Sequence, residues 1–227
     1  MVTELGERTW AAIDSGPAPL VLVPVGACEQ HGPHLPLDTD TRLAQHLARR
    51  AASALDAAVV APAIGIGASG EHAGFPGTLS IGSDALTAVL VELVRSAGWA
   101  RGVVLVNGHG GNLDAVGRAV ATLHGEGRAV LSWWPRVPGG DAHAGHTETS
   151  LLLHLDEAVV DRAAIAPGAT APIGEIIDRL RRDGVGALSP GGVLGDPTTA
   201  TPEAGRRIVT DLVADLVRSV NGWRTPP

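Results

Sequence analysis

Lysine and tyrosine are both missing from this 227-residue chain, and cysteine, phenylalanine and methionine occur once each. All 17 basic residues are therefore arginines. Without lysine there is no Schiff base, no pyridoxal phosphate anchor and no P-loop lysine. The single thiol, Cys28, excludes an internal disulfide and any zinc or iron–sulfur site built from several cysteines, and agrees with a reducing compartment. Positive charge is short as well: 24 acidic residues bring the net charge to −7, the wrong sign for a protein that binds by neutralising phosphates, so nucleic acid is not expected as a partner. No run approaches the roughly 18 uninterrupted apolar residues of a membrane span. The N-terminal MVTELGERTWAAIDSG carries Glu4, Glu7 and Asp14 and lacks the apolar core of a signal peptide. A cytoplasmic protein without membrane contact is the expectation. What the chain does have is 44% apolar residues, enough for one domain over residues 1–227, and nine histidines as its main chemical resource.

The pattern alternates strand and helix. Residues 21–25 (VLVPV) form an apolar run ending at Gly26, as in a strand buried on both faces. From Thr41 onward, Leu43, Leu47, Ala51 and Leu55 share one helical face. Residues 57–61 (AAVVA) predict a second strand, and Ser83 is the expected N-cap of a helix carrying Leu86, Leu90, Leu93 and Val94 inward. A third strand at 102–106 (GVVLV) leads through glycines to a helix from about Asn112, and 128–134 predicts a fourth strand. Residues 148–155 are helical in character, and Thr201 with Pro202 caps a final helix towards Val220. Such alternation predicts an α/β fold with a mainly parallel sheet and helices on both faces, whose chemistry collects at the carboxyl ends of the strands.

Polar residues cluster at those ends. Glu29-Gln30-His31-Gly32-Pro33-His34 follows the first strand, with Asp38-Thr39-Asp40 just before the first long helix. Asn107-Gly108-His109-Gly110-Gly111-Asn112 follows the third strand, and Asp141-Ala142-His143-Ala144-Gly145-His146-Thr147-Glu148 follows the fourth. Carboxylates and imidazoles without thiolates suit Zn²⁺, Mn²⁺ or Fe²⁺, and a carboxylate can bridge two ions about 3.5 to 4 Å apart. No lysine, reactive thiol or G-x-S-x-G elbow competes with that chemistry.

These segments, together with Gly70-Glu71-His72, Phe75-Pro76-Gly77-Thr78 and Glu148-Thr149-Ser150, resemble the creatininase family of metal-dependent amidohydrolases. The resemblance spans roughly residues 21–201 and implies a three-layer α/β/α sandwich, usually assembled into homo-oligomers. Within the family, residues 68–72, 141–150 and 192–201 are most similar to peptidases that trim a dipeptide from the C-terminus of a modified ribosomal precursor peptide. The resemblance implies two divalent ions: Glu29 and His109 on one, His31 on the other, and Asp40 bridging them. The family glutamate two residues after the histidine matching His109 is replaced by Gly111, and Glu148 is the expected substitute.

The resemblance also implies a catalytic role for His143 as general acid, with His146 as second choice and Glu148 as a further proton carrier if it binds no metal. Glu71 and His72 match the substrate loop, and His34 can orient a ligand carboxylate. Gly110 and Gly139 stand where creatininase proper has pocket-lining aromatics, so creatinine is disfavoured. With Gly111 they are expected to leave the pocket open to a peptide. A terminal carboxylate needs an arginine, and Arg136, between Trp134 and the His143 segment, is the candidate. His46, His124 and His154 fall on predicted helices, outside the chemistry. Two other readings share these residues: a small-molecule amidohydrolase or deformylase, and a non-catalytic scaffold for metal or peptide.

Overall fold

The computed structural model describes residues 3–223. Its elements in order are α1 (Trp10–Asp14), β1 (Leu20–Val25), α2 (Thr39–Ala52), β2 (Ala58–Val60), α3 (Gly82–Ser96), β3 (Gly102–Asn107), α4 (Leu113–Gly125), β4 (Val130–Trp133), α5 (His146–Leu155), α6 (Ile173–Asp183), α7 (Val185–Leu188) and α8 (Pro202–Gly222). The strands lie in the order β2-β1-β3-β4, every pair parallel, with Val21 opposite Val59 and Leu22 opposite Val104.

Period-two alternation in β1 explains why all six of its residues are apolar and buried. Val21, Val23 and Val25 pack with Leu86 and Leu90 of α3 and with Val116 and Leu123 of α4. Leu20 and Leu22 face the other way, onto Leu47 and Ala51 of α2 and Leu212 and Leu216 of α8. Helices thus cover both faces of the sheet, giving the expected three layers. A further apolar cluster joins Leu151 and Leu152 of α5 to Val209 of α8 and to Leu35 and Leu43. The chain runs from β1 outward to β2 and then returns to the opposite side of β1 to form β3. The order therefore reverses between β1 and β3, and in open parallel sheets that switch opens a crevice at the carboxyl ends of those two strands.

Thr201 caps α8 as expected, its side chain accepting from the Ala204 N–H with Pro202 in the first turn. Ser83 does not cap α3, which begins at Gly82. Ser80 performs a local tie instead, its Oγ accepting from the backbone N–H groups of Ser69 and Gly82. The fourth strand is shorter than the predicted 128–134. Helix α6 was not expected, and none of its residues is buried. Among the described residues, no helix is long and apolar enough to cross a membrane.

Candidate metal centre

Two glycines set the crevice. A Cβ on Gly26, after β1, would lie 2.3 Å from Thr41 Oγ1, and one on Gly108, after β3, would lie 2.5 Å from the Asp40 carbonyl oxygen. Their absence lets the N-terminus of α2 press against both strand ends, and Asp40, in its first turn, enters the gap with 2% exposure. Glu29 and His31 arrive from the loop after β1, both fully buried. His109 arrives after β3 on a turn tied by Asn107, whose Nδ2 donates to the His109 carbonyl at 2.7 Å. Glu148 projects from the first turn of α5. His143 is held by a backbone pair with Leu194, and the Asp141 carboxylate, accepting from the His146 and Thr147 N–H groups, ties that loop to the start of α5.

The partners of each imidazole define its tautomer, because a carbonyl oxygen can only accept. His31 Nδ1 donates to the Glu29 carbonyl at 3.1 Å, and Nε2, the nitrogen turned to the carboxylates, donates to Asp40 Oδ1 at 3.2 Å while the ring is protonated and lies 3.9 Å from Glu148 Oε2. His109 Nε2 donates to the Ala68 carbonyl at 3.1 Å, leaving Nδ1 3.2 Å from Asp40 Oδ2. His143 Nε2 donates to the Gln30 carbonyl at 2.8 Å, and its Nδ1 faces Glu29 Oε1 at 3.8 Å. Three imidazoles thus turn towards carboxylates the nitrogen that no backbone carbonyl engages. Both carboxylate oxygens of Glu29 and Oδ2 of Asp40 are buried without a hydrogen-bond partner.

Such nitrogens facing buried carboxylates are an arrangement for a cation, a proton or a metal ion that displaces it. Ligands about 2.0 to 2.2 Å from one ion stand roughly 3.0 to 3.5 Å from each other, the spacing found here at the 3.2 Å contacts of Asp40 with His31 Nε2 and His109 Nδ1. Two groups that could hold an ion, Glu29/Asp40/His109 and His31/Asp40/Glu148, have Asp40 in common, and a third is Glu29/His31/His143. The donor set therefore fits divalent metal of the nitrogen- and oxygen-binding kind.

Electrostatics agree. Burial drives the Glu29 carboxyl up to about 8 and the Glu148 carboxyl up to about 7. Burial also pulls His31 and His109 down, but Asp40 at His31 and Glu29 at His109 outweigh it and leave them at about 10 and about 9. Asp40 resists its own burial because both imidazoles hold it well below the usual carboxylate range. His143 is lowered well below an ordinary histidine by burial and by His31, so it is neutral. A cluster that binds protons this firmly offers the same sites to a cation, which must displace them.

The remaining predicted residues are placed less uniformly. Glu71 Oε1 is 3.5 Å from His109 Nε2, and a Cβ on Gly111 would meet that oxygen, His109 Nε2 and the Ala68 carbonyl, all within 2.5 Å. Gly111 therefore leaves no opening, contrary to expectation, whereas Gly110 and Gly139 have nothing within 4 Å of a Cβ. His72 is 3% exposed and 3.2 Å from Glu29 Oε1, inside the cluster rather than on an open loop. His34 is buried with Nε2 2.9 Å from Thr149 Oγ1. His146 pairs with Thr199 Oγ1 at 2.9 Å. Arg136 is exposed, its guanidinium 5.7 Å above the Trp134 ring, and no hydrogen bond or ion pair links it to the cluster among the described residues. Gln30 went unremarked in the sequence, although it stands between two ligand-type residues and its side chain reaches both His72 and His143.

The sequence model of one family, described as creatininase, creatinine amidohydrolase, matches residues 6–220. The chain belongs to the creatininase family. It is accordingly a hydrolase acting on amide bonds. It is 51% identical over 238 residues to the mycofactocin precursor peptide peptidase of Mycobacterium tuberculosis, covering 100% of this chain and 94% of that protein. It is 32% identical to the creatinine amidohydrolase of Pseudomonas putida, covering 94% of this chain and 95% of that one. A solved creatininase described with Mn superposes with a TM-score of 0.80 at 27% identity, and so does a variant creatininase of Zn-Zn type, each covering 100% of both chains.

Proposed function

We propose that the protein is a metal-dependent peptidase that releases a C-terminal dipeptide from a modified ribosomal precursor peptide in the mycofactocin system. We propose further that residues 1–227 form one catalytic domain, working in the cytoplasm as a homo-oligomer. The observation that carries the reading is 51% identity across the whole chain to a protein named for that activity. It agrees with glycine at positions 110 and 139, which match pocket-lining aromatics of creatininase proper and offer no side chain to wall in a small cyclic substrate.

Glu29, Asp40 and His109 would hold one divalent ion, and His31, Asp40 and Glu148 the other, whether zinc, iron or manganese. When bound, such a pair acidifies water and polarises an amide carbonyl. The chain's own residues handle the proton. Because His143 keeps its Nε2 hydrogen on the Gln30 carbonyl, Nδ1 is a base at rest and not a ready-made acid. It takes a proton as water attacks and returns it to the leaving nitrogen, so the general acid role follows a general base role. Arg136, exposed on the loop before Asp141, is the proposed anchor for the terminal carboxylate, with Glu71 beside the metal-facing histidine as a substrate contact.

Mass spectrometry of the metal-loaded protein with three substrates tests this reading: the modified precursor as free acid, its C-terminal amide, and creatinine. The expected result is dipeptide release from the acid, much slower cleavage of the amide, and no creatinine turnover. Efficient creatinine hydrolysis with an intact precursor would favour the small-molecule alternative and overturn the peptidase.

A further inference from the structure

His72 differs from the other imidazoles of the cluster. His31, His109 and His143 each spend one N–H on a backbone carbonyl and turn the other nitrogen inward. No carbonyl stands at His72; its Nδ1 lies 2.8 Å from the side-chain Nε2 of Gln30. The direction of that bond follows from counting hydrogens. Gln30 Nε2 carries two, and three acceptor-type atoms surround it: His72 Nδ1, the Gly192 carbonyl at 3.0 Å and His143 Nε2 at 3.1 Å. His143 Nε2 is already a donor to the Gln30 carbonyl and cannot accept. The two amide hydrogens therefore go to Gly192 and His72. The amide cannot be reversed, because Oε1 accepts from the Gly32 N–H at 2.9 Å, and a flip would set oxygen against the Gly192 carbonyl. Gly192 itself must be glycine here, with φ +81° and a Cβ position only 1.8 Å from Gln30 Oε1.

We propose that Gln30 is a positioning residue that locks His72 as the Nε2–H tautomer, so that His72 turns an N–H and not a lone pair towards Glu29 and is neither a metal ligand nor a substrate contact. Its Nε2 is 3.2 Å from Glu29 Oε1, a charge–dipole contact and not an aligned hydrogen bond, since that buried oxygen accepts none among the described residues. The positive end of that N–H dipole favours the charged carboxylate and holds one oxygen while the other faces His109. Through its backbone carbonyl, Gln30 also sets the inward Nδ1 of His143. One residue thus assigns opposite roles to two neighbouring imidazoles, whose ring centres are 4.5 Å apart. The inference rests on the metal assignment proposed above and adds to it a residue that touches neither ion nor substrate.

Long-range ¹⁵N–¹H correlation spectra of the zinc-loaded, ¹⁵N-labelled protein read the tautomer directly, with His72 assigned by its loss in His72→Gln. The expected result is Nε2–H at His72 and disappearance of that pattern in Gln30→Glu. His72→Gln, which places an amide N–H near the Nε2 position, should keep zinc affinity within about threefold, whereas His72→Phe should lose roughly 10- to 100-fold. An Nδ1–H or metal-bound signature at His72, or wild-type zinc affinity in His72→Phe, would overturn the inference. Should Gln30→Glu fail to fold, the wild-type tautomer and the His72 pair still decide it. None of these readouts involves peptide cleavage, and a wild-type protein that binds no zinc would instead overturn the metal assignment.

Discussion

Asp40 belongs to both candidate ligand groups that flank it, while Glu148 belongs to one. Asp40→Ala should therefore cost most of both ions and Glu148→Ala chiefly one, measured as metal per subunit after gel filtration; near-normal metal in Asp40→Ala would remove the shared-carboxylate arrangement. His143→Ala should keep its metal and lose turnover by roughly 100-fold or more, the usual contribution of a positioned proton carrier. Loss of metal along with turnover would make His143 a ligand, through its grouping with Glu29 and His31. The proton affinities set a pH dependence. With His31 and His109 raised to about 10 and about 9, both are protonated at neutral pH until a cation displaces those protons, so metal binding strengthens as pH rises. Calorimetry in buffers of different ionisation enthalpy should show net proton release, about one or more per ion. Binding that is indifferent to pH between 6 and 8 would contradict those assignments.

At the scale of elements, the crevice depends on how closely α2 approaches the ends of β1 and β3. Gly108→Ala drives a methyl into the Asp40 carbonyl, which is backbone and cannot swing aside. It should destabilise the fold by about 1 to 3 kcal/mol and weaken metal uptake with it, read by thermal unfolding and metal titration. The strands were legible in the sequence because parallel strands buried on both faces are uninterrupted apolar runs, and α8 because Thr201-Pro202 is a strong start signal. Ser83 misled because α3 starts at Gly82, so Ser83 lies inside the first turn and not at the position before it. Asn112 precedes α4, but its side chain is engaged with the Ala68 N–H, the Gly26 carbonyl and Asn107, a tertiary demand invisible to local pattern. The ligand-type residues stood out by chemistry and strand-end position. Gln30 did not, and His72 was read as a substrate contact, since an orientation set by a partner 42 residues away leaves no local signature.

For the whole molecule, large apolar side chains remain outside: Trp10 is 81% exposed, Leu79 54%, Ile173 45% and Trp99 44%. Helix α6 adds a span with no buried residue. Subunit contacts would cover such side chains, so under the proposed assembly light scattering should give a mass of two or more subunits, and a monomer at micromolar concentration would contradict it. Where the three layers open at the β1/β3 switch, Glu29, Asp40, His31 and His109 are concentrated in one crevice. The most direct test of a paired-ion peptidase is titration of the metal-free protein with zinc or manganese while dipeptide release from the modified precursor is followed by mass spectrometry. Release that is absent with chelator and saturates near two ions per subunit is the predicted result; release by the metal-free protein, or saturation at one ion, would contradict it.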